Sequence, residues 1–255
     1  MSDYLELQDK RALVTGGTKG IGRRCAEILA DEGADVAVCA RDAGGVEATV
    51  AALRGKGVTA HGGALDVSDK AALEGWVSAS AEALGGIDIV VGNVSALAVG
   101  DDEESWAKEF ATDLMHSVRL VNAAMPWLEK SKAPSITLIS SVSGREVDFT
   151  GPGYAVMKTA LVRYAQDLAF KLAPKMIRAN TVSPGNTYFD GGIWQWIEEN
   201  NPTLFAETMR LNPTGRMAKP EEIARGVVFL ASPASSFTTG TNLVIDGALT
   251  RGVQL

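Results

Sequence analysis

The sequence is poor in the residues that bind metals or form disulfides. Its 255 residues include two cysteines and two histidines, too few for the four-ligand zinc clusters that stabilise small domains. Cys25 and Cys39 lie in segments with a helical and a strand-like pattern, so we expect both to be small buried residues in a reducing compartment. His61 and His116 are expected to be structural. The sequence therefore predicts no metal site.

Positive charge and long apolar runs are also scarce. Lys and Arg number 24 against 31 Asp and Glu, a net charge of -7, so nucleic acid and anionic membranes are not expected as partners. No stretch approaches the roughly 18 uninterrupted apolar residues of a membrane span. The first ten residues, MSDYLELQDK, carry three acidic residues and no apolar run, which is unlike a signal peptide. These features predict a cytoplasmic protein that acts on small molecules.

What the chain does contain is a regular alternation of short Val- and Ile-rich segments with helix-like ones. The strand-like segments are RALVTG, DVAVCA, GVTAHGGALD, IDIVVGN, SITLISS, IRANTVSPG and TNLVIDG. This order predicts a parallel sheet covered on both faces. Apolar residues make up 46% of the chain, enough for one large core. We therefore predict a single α/β domain over 1–255, with helices over 21–31, over 105–128 and after Pro220.

A glycine-rich loop, TGGTKGIG at 15–22, follows the first strand. Glycines let the chain turn sharply and let backbone N–H groups approach a pyrophosphate, whose charge the next helix N-terminus also favours. An ordinary strand-to-helix turn needs one glycine, not four in eight positions. The loop therefore predicts dinucleotide binding, although its spacing is not G-x-G-x-x-G. The residues assigned to the cofactor are Gly16, Thr18, Lys19, Gly20, Ile21 and Gly22.

The end of the second strand lacks the acidic residue that recognises a ribose 2'-hydroxyl. Ala40 and Arg41 stand there, and Lys19 lies within the glycine loop. Because cations pair with a 2'-phosphate and a carboxylate repels it, these residues favour NADP(H), with NAD(H) still possible. The alternative is that Arg41 and Lys19 are ordinary solvated charges.

Several ordered motifs resemble the short-chain dehydrogenase/reductase family. They are Thr15-Gly-x-x-x-Gly20-x-Gly22, LDV at 65–67, GNVS at 92–95, ISS at 139–141, Tyr154-x-x-x-Lys158 and SPG at 183–185. The resemblance covers nearly the whole chain and implies one doubly wound, Rossmann-like domain with a seven-stranded parallel sheet, a nicotinamide cofactor and usually a homotetramer. Further cofactor contacts that it implies are Asp66 and Val67 at the adenine, Asn93 at its strand, Pro184 and Gly185 at the nicotinamide, Thr187, and also Tyr154 and Lys158.

Tyr154 and Lys158 are one helical turn apart and share a face. Reducing a ketone leaves an alkoxide that needs a proton, and a tyrosine with a pKa near 10 exchanges protons poorly near neutrality unless a cation lowers that pKa. Lys158 supplies this charge. Ser141, thirteen residues before Tyr154, is expected to hydrogen-bond the substrate oxygen. The resemblance supports all three assignments.

Asp113 departs from the family pattern. The family usually has an asparagine there, which helps to maintain a water link to the lysine. As an anion, Asp113 would hold Lys158 charged and partly offset the field that lowers the tyrosine pKa, or it could simply turn away. We count Asp113 among the candidate catalytic residues. GNVS also replaces Asn-Asn-Ala-Gly, so Val94 and Ser95 are expected to reshape the cofactor pocket.

The substrate is least constrained by the sequence. Residues 186–216 contain many aromatic and apolar side chains, with Gly191 and Gly192 as a possible hinge. They could form a lid over an apolar ketone or secondary alcohol, or a helical pair packed elsewhere. Alternatives left open are a cofactor-binding protein with little catalysis, an epimerase or dehydratase that retains its cofactor, and a 3-oxoacyl carrier-protein reductase. Wide apolar stripes on the helices at 106–127 and 154–172 predict pairing between subunits.

Overall fold

The computed structural model describes residues 4–98 and 100–252. Within them lie seven strands and nine α-helices, with at least one helix between each pair of consecutive strands. The strands are β1 (Arg11–Thr15), β2 (Asp35–Ala40), β3 (Ala60–Ala64), β4 (Ile89–Gly92), β5 (Ser135–Ile139), β6 (Arg178–Pro184) and β7 (Asn242–Ile245). The helices are α1 (Gly20–Asp31), α2 (Ala43–Arg54), α3 (Lys70–Leu84), α4 (Glu103–Glu109), α5 (His116–Leu128), α6 (Pro152–Leu172), α7 (Ile193–Asn200), α8 (Pro202–Leu211) and α9 (Pro220–Ala231).

All seven strands form one parallel sheet in the order β3-β2-β1-β4-β5-β6-β7. Apolar residues of α1, α2 and α9 cover one face, and those of α3, α5 and α6 cover the other. Both cysteines are free and fully buried. The predicted doubly wound fold is therefore confirmed, and no described helix is both long and apolar enough to cross a membrane.

The chain reverses its direction of winding between β1 and β4, which lie side by side although two strands separate them in sequence. Such a reversal opens a crevice at the carboxyl ends of the strands, where α/β proteins bind ligands. The glycine loop, Asn93, Ser141 and Gly185 follow β1, β4, β5 and β6, respectively. The candidate residues consequently meet at one edge of the sheet.

The helix predicted over 105–128 is interrupted. Between α4 and α5 the residues Phe110–Met115 form a π-helical turn, in which one extra residue per turn rotates the helix face. As a result Asp113 and His116 point into the protein and are fully buried, whereas Phe110, from the predicted apolar stripe, is 48% exposed. Polar residues thus occupy the inner face of this segment. The apolar spacing alone predicted an uninterrupted α-helix with apolar residues there.

Residues 186–216 contain the helical pair α7 and α8, which carries a small apolar core of its own. Trp194, Ile197 and Met217 are buried in it. The ring of Trp194 also contacts Phe149, in the loop before α6, with centroids 5.5 Å apart. A helical pair, one of the two predicted possibilities, is therefore present, and its movement as a lid remains a prediction.

Candidate active site

The glycine loop is held in a shape that side chains would prevent. Gly16 and Gly20 have φ of 65° and 51°, a left-handed conformation that favours glycine. A Cβ added at Gly22 would lie 2.3 Å from the carbonyl oxygen of Gly16 and 2.4 Å from Asn93 Nδ2. Lys19 precedes α1 without a side-chain cap, which leaves the first N–H groups of the helix free to bind an anion. This cradle fits the pyrophosphate of a dinucleotide.

A hydrogen-bonded node fixes the loop to the neighbouring strand. Asn93 Nδ2 donates to the carbonyl oxygens of Thr15 and Gly16 at 3.1 and 3.3 Å, and the Asn93 N–H donates to Thr15 Oγ1 at 3.0 Å. His116 Nε2 lies 3.0 Å from the same hydroxyl, while its Nδ1 lies 3.0 Å from Thr112 O. Since a carbonyl only accepts, Nδ1 carries the proton and Nε2 accepts from Thr15. Burial lowers the pKa of His116 to about 4, so the ring is neutral.

The two predicted cations lie just beyond the carboxyl ends of β1 and β2. Lys19 and Arg41 are both exposed, and neither has an ion-pair partner within 4 Å among the described residues. Arg41 follows β2, and its charge helps to lower the pKa of Asp66, although the hydrogen bonds from the Ser68 backbone and hydroxyl lower it more. Both cations are thus available to an anionic ligand group.

The other residues predicted to contact the cofactor are arranged around the same edge. Thr18 and Ile21 are half-buried in the loop and Val67 is 4% exposed. At the end of β6, the Gly185 N–H donates to Ile245 O at 2.9 Å, and Thr187 Oγ1 donates to Gly185 O at 3.0 Å. Their roles toward a cofactor remain predictions.

Lys158 is the centre of the polar cluster beside α6. Its side chain is 2% exposed, and Nζ lies 3.0 Å from Asp113 Oδ1 and donates to Ile139 O at 3.1 Å. Nζ also lies 5.4 Å from the ring centroid of Tyr154. Burial opposes the charge of Lys158, but Asp113 outweighs it and raises the lysine pKa. The structure therefore pairs Asp113 with Lys158 instead of turning it away.

Ser141 and Tyr154 meet at the end of β5. Ser141 is 8% exposed; its hydroxyl donates to Ser143 Oγ at 3.2 Å and is close enough to Tyr154 to lower the tyrosine pKa. Burial raises the pKa of Tyr154. The positive charge of Lys158 and the hydroxyl of Ser141 lower this pKa, and the negative charges of Asp113 and Glu109 raise it. In the protein alone the pKa of Tyr154 is raised overall. Lys158 lowers this pKa as predicted, but burial and the two acids together outweigh it.

This edge of the sheet thus combines a dinucleotide cradle with a serine, a tyrosine and a lysine. A family model described as Enoyl-(Acyl carrier protein) reductase matches residues 16–250. The chain belongs to the short-chain dehydrogenase/reductase family. The matched model and the relatives below are described as reductases and dehydrogenases, and the chain is accordingly an oxidoreductase of this family.

Individual members of the short-chain dehydrogenase/reductase family are similar to this chain over most of their length. Isoepoxydon dehydrogenase patN of Penicillium expansum is 39% identical over 254 residues, with 97% of each chain covered. Dehydrogenase/reductase SDR family member 4 of Rattus norvegicus is 33% identical, covering 94% of this chain and 87% of that protein. An NADPH-bound short chain oxidoreductase from Pseudomonas aeruginosa PAO1, described as containing an atypical catalytic center, has a TM-score of 0.88 at 28% identity, covering 96% and 98% of the two chains.

Two buried residues of this short-chain dehydrogenase/reductase were not singled out from the sequence as parts of the site. Glu109, at the end of α4, is 1% exposed and lies beside Asp113. His116, expected to be structural, supports the glycine loop. The available signal for Glu109 was its position four residues before Asp113, which is also common among solvated helix charges.

Proposed function

We propose that this chain is an NADP(H)-dependent oxidoreductase that transfers a hydride between nicotinamide and an apolar ketone or secondary alcohol. The observation that carries the proposal is the Lys158 ammonium 5.4 Å from the centroid of the Tyr154 ring, with the Ser141 hydroxyl close enough to lower the Tyr154 pKa. Two similar proteins, isoepoxydon dehydrogenase and the NADPH-bound oxidoreductase, support it by their described activity and ligand.

In this proposal side chains of the protein supply the proton that the reduced carbonyl oxygen needs. Bound NADPH supplies the hydride. The Tyr154 hydroxyl gives its proton to the oxygen of the reduced carbonyl, and Ser141 hydrogen-bonds that oxygen as negative charge develops on it. The ammonium of Lys158 stabilises the phenolate that Tyr154 becomes. In alcohol oxidation the same groups work in reverse, with the phenolate as the base.

The proposed preference for NADP(H) depends on Arg41 and Lys19. A phosphate dianion between two such cations gains charge-assisted hydrogen bonds worth about 1.5–3 kcal/mol each. We expect Arg41→Ala to reduce kcat/KM with NADPH on the order of tenfold or more and to change NADH kinetics little. Lys132→Ala, which removes an exposed cation just before β5 at the opposite edge of the sheet, is the matched control. An equal loss with both cofactors would refute the preference.

The apolar substrate class is supported by the side chains that approach the crevice from 186–216. The ring of Phe189 lies over Gly20, where an added Cβ would be 2.6 Å from it, and Trp194 contacts Phe149. Such surroundings favour ketones with an apolar body. The segment is also the proposed lid, with Gly191, at a φ of 74°, in its hinge.

A panel of apolar ketones, with a 3-oxoacyl thioester included, tests the reaction through NADPH absorbance. Turnover that Tyr154→Phe abolishes, with NADPH binding retained, is the expected result. Tight NADPH binding without turnover for any ketone would instead favour a binding protein. Product formation without net NADPH loss would favour epimerisation or dehydration.

A homotetramer in the cytoplasm is part of the proposal. Phe170, near the end of α6, is 88% exposed, and Val156 on the same helix is 49% exposed, so an apolar face is left uncovered in a single chain. The free buried thiols suit a reducing compartment. Sedimentation should give a mass four times that of the chain, and Phe170→Glu should lower it; a monomeric wild-type mass would contradict the assembly.

A further inference from the structure

Two carboxyl groups are buried next to a single ammonium group in this structure. Glu109 ends α4, Asp113 lies in the following π-helical turn, and their exposed fractions are 1% and 0%. Lys158 pairs with Asp113 at 3.0 Å. One cation balances one anion, and a second buried carboxylate would be left without compensation, which is strongly unfavourable in a protein interior.

The hydrogen bonds of the Glu109 and Asp113 carboxyl groups are compatible with one proton shared between them. Glu109 Oε1 accepts from the Ala98 N–H at 2.6 Å, and Asp113 Oδ2 accepts from the Ala96 N–H at 2.8 Å. Of the two remaining buried oxygens, Glu109 Oε2 has no hydrogen-bond partner among the described residues. Asp113 Oδ1 has only the Lys158 ammonium, at 3.0 Å and without hydrogen-bond alignment. A proton on one carboxyl lets the two side chains hydrogen-bond each other.

The surroundings decide which carboxyl keeps that proton. Burial and the contact with Asp113 raise the pKa of Glu109 to about 8. Burial opposes ionisation of Asp113 too, but Lys158 and the hydrogen bonds that Asp113 accepts lower its pKa. At neutral pH the arrangement is therefore a protonated Glu109, an Asp113 carboxylate and a Lys158 ammonium.

We propose that Glu109 is a positioning residue that acts through Asp113 and Lys158: its proton keeps the charge of the acid pair at minus one and so sets the protonation of Tyr154. This inference rests on the proposed function, in which Tyr154 is the acid and base. When Glu109 loses its proton, a second negative charge appears in the cluster and makes the Tyr154 phenolate harder to form.

The groups that face Glu109 come from three elements. They are Asp113 in the π-helical turn, Lys158 and Tyr154 on α6, and the N–H of Ala98 in the loop after β4. His116, beyond Asp113, has a pKa of about 4 and stays neutral where Glu109 titrates. Above neutral pH, the ionisation of Glu109 is therefore coupled to that of Tyr154.

The test replaces Glu109 with a residue that resembles its protonated form. In Glu109→Gln the second negative charge never develops, so Tyr154 should ionise at a pH lower by on the order of one unit, in one step. The readout is the phenolate absorbance of the folded protein between about pH 8 and 12, taken for each protein as the difference from the same protein carrying Tyr154→Phe. Where an alcohol is turned over, the rising limb of kcat/KM with pH should move by the same amount.

The matched control is Glu104→Gln, on the same helix but with 77% of its side chain exposed. This variant should leave the Tyr154 titration unchanged. A titration of Glu109→Gln that coincides with wild type overturns the proposal. Because absorbance needs no substrate, it separates failure of this inference from failure of the proposed function, which would appear as absence of turnover with the titration shift intact.

A second measurement does not depend on Tyr154. Infrared difference spectra should show a protonated carboxyl that disappears near pH 8 in wild type and is missing in Glu109→Gln. In Asp113→Asn, Glu109 becomes the only acid beside Lys158, so its ionisation should move to lower pH. A Glu109 that is already ionised at neutral pH in the wild-type protein overturns the proposal, even if the variants fold poorly.

Discussion

Substituting Gly22 by alanine tests whether the glycine cradle is as tight as the structure shows. The new Cβ would lie 2.3 Å from Gly16 O and 2.4 Å from Asn93 Nδ2, whereas carbon–carbon contacts are most favourable at about 3.5–4.0 Å. The first obstacle is backbone and cannot rotate away. Either α1 must move away from β1 or the Asn93 side chain must leave its place.

The magnitude follows from these two responses. Overpacking a filled site costs about 1–3 kcal/mol. Displacing Asn93 removes its two hydrogen bonds to Thr15 and Gly16, each worth about 0.5–1.5 kcal/mol net. A loss of about 2–4 kcal/mol is expected, a large fraction of the total stability of roughly 5–15 kcal/mol of a natural domain. The moved loop should also bind NADPH at least tenfold more weakly.

Gly75 provides the matched control. It lies within α3, and a Cβ added there has no neighbour within 4 Å. Gly75→Ala should therefore be neutral or stabilising by up to about 1 kcal/mol, because alanine favours the helix. Urea unfolding and a fluorescence titration with NADPH measure both variants. Equal stability and equal affinity for Gly22→Ala and wild type would refute the close approach of α1 to Gly16.

Three further changes test other parts of the structure. Lys158→Met leaves the Asp113 carboxylate buried without its cation and should cost about 3–5 kcal/mol in urea unfolding; under 1 kcal/mol would contradict the ion pair. Arg178→Met removes a guanidinium that donates to carbonyl oxygens at the end of α9, including Leu230 at 2.6 Å and Ser232 at 2.9 Å. It should cost about 2–4 kcal/mol, against almost nothing for the exposed Arg225→Met. The folded state raises the pKa of Glu109 from 4.5 to about 8, so stability from this group declines as pH rises through that range. Thermal unfolding should show Glu109→Gln gaining on wild type by roughly 2 kcal/mol between about pH 6 and pH 8, and a constant difference would contradict the raised pKa.

The strands and the glycine loop could be predicted from sequence because each depends on local chemistry. β1 and β2 are short apolar runs that end in turn signals, and the loop needs positive φ at Gly16 and Gly20. The spacing of Tyr154 and Lys158 is likewise a property of one helical turn. Residues that are close in sequence are sufficient to determine each of these features.

The π-helical turn and the role of Glu109 could not be predicted in this way. One additional residue in a turn leaves the apolar spacing of the segment compatible with a plain helix. The sequence does not show whether a glutamate is buried and protonated or solvated and ionised. For Glu109 the difference comes from its closeness to Asp113 and Lys158 in the folded chain. Both features depend on contacts between elements that are far apart in sequence.

The neutral imidazole of His116 has a consequence for redesign. It joins Thr15, which starts the glycine loop, to the carbonyl of Thr112 next to Asp113. The glycine loop and the polar cluster of Asp113 and Lys158 therefore share one support. A loop transplanted from another member of the family must bring a hydroxyl that donates to this imidazole, or the transplant will disturb both the loop and the surroundings of Asp113.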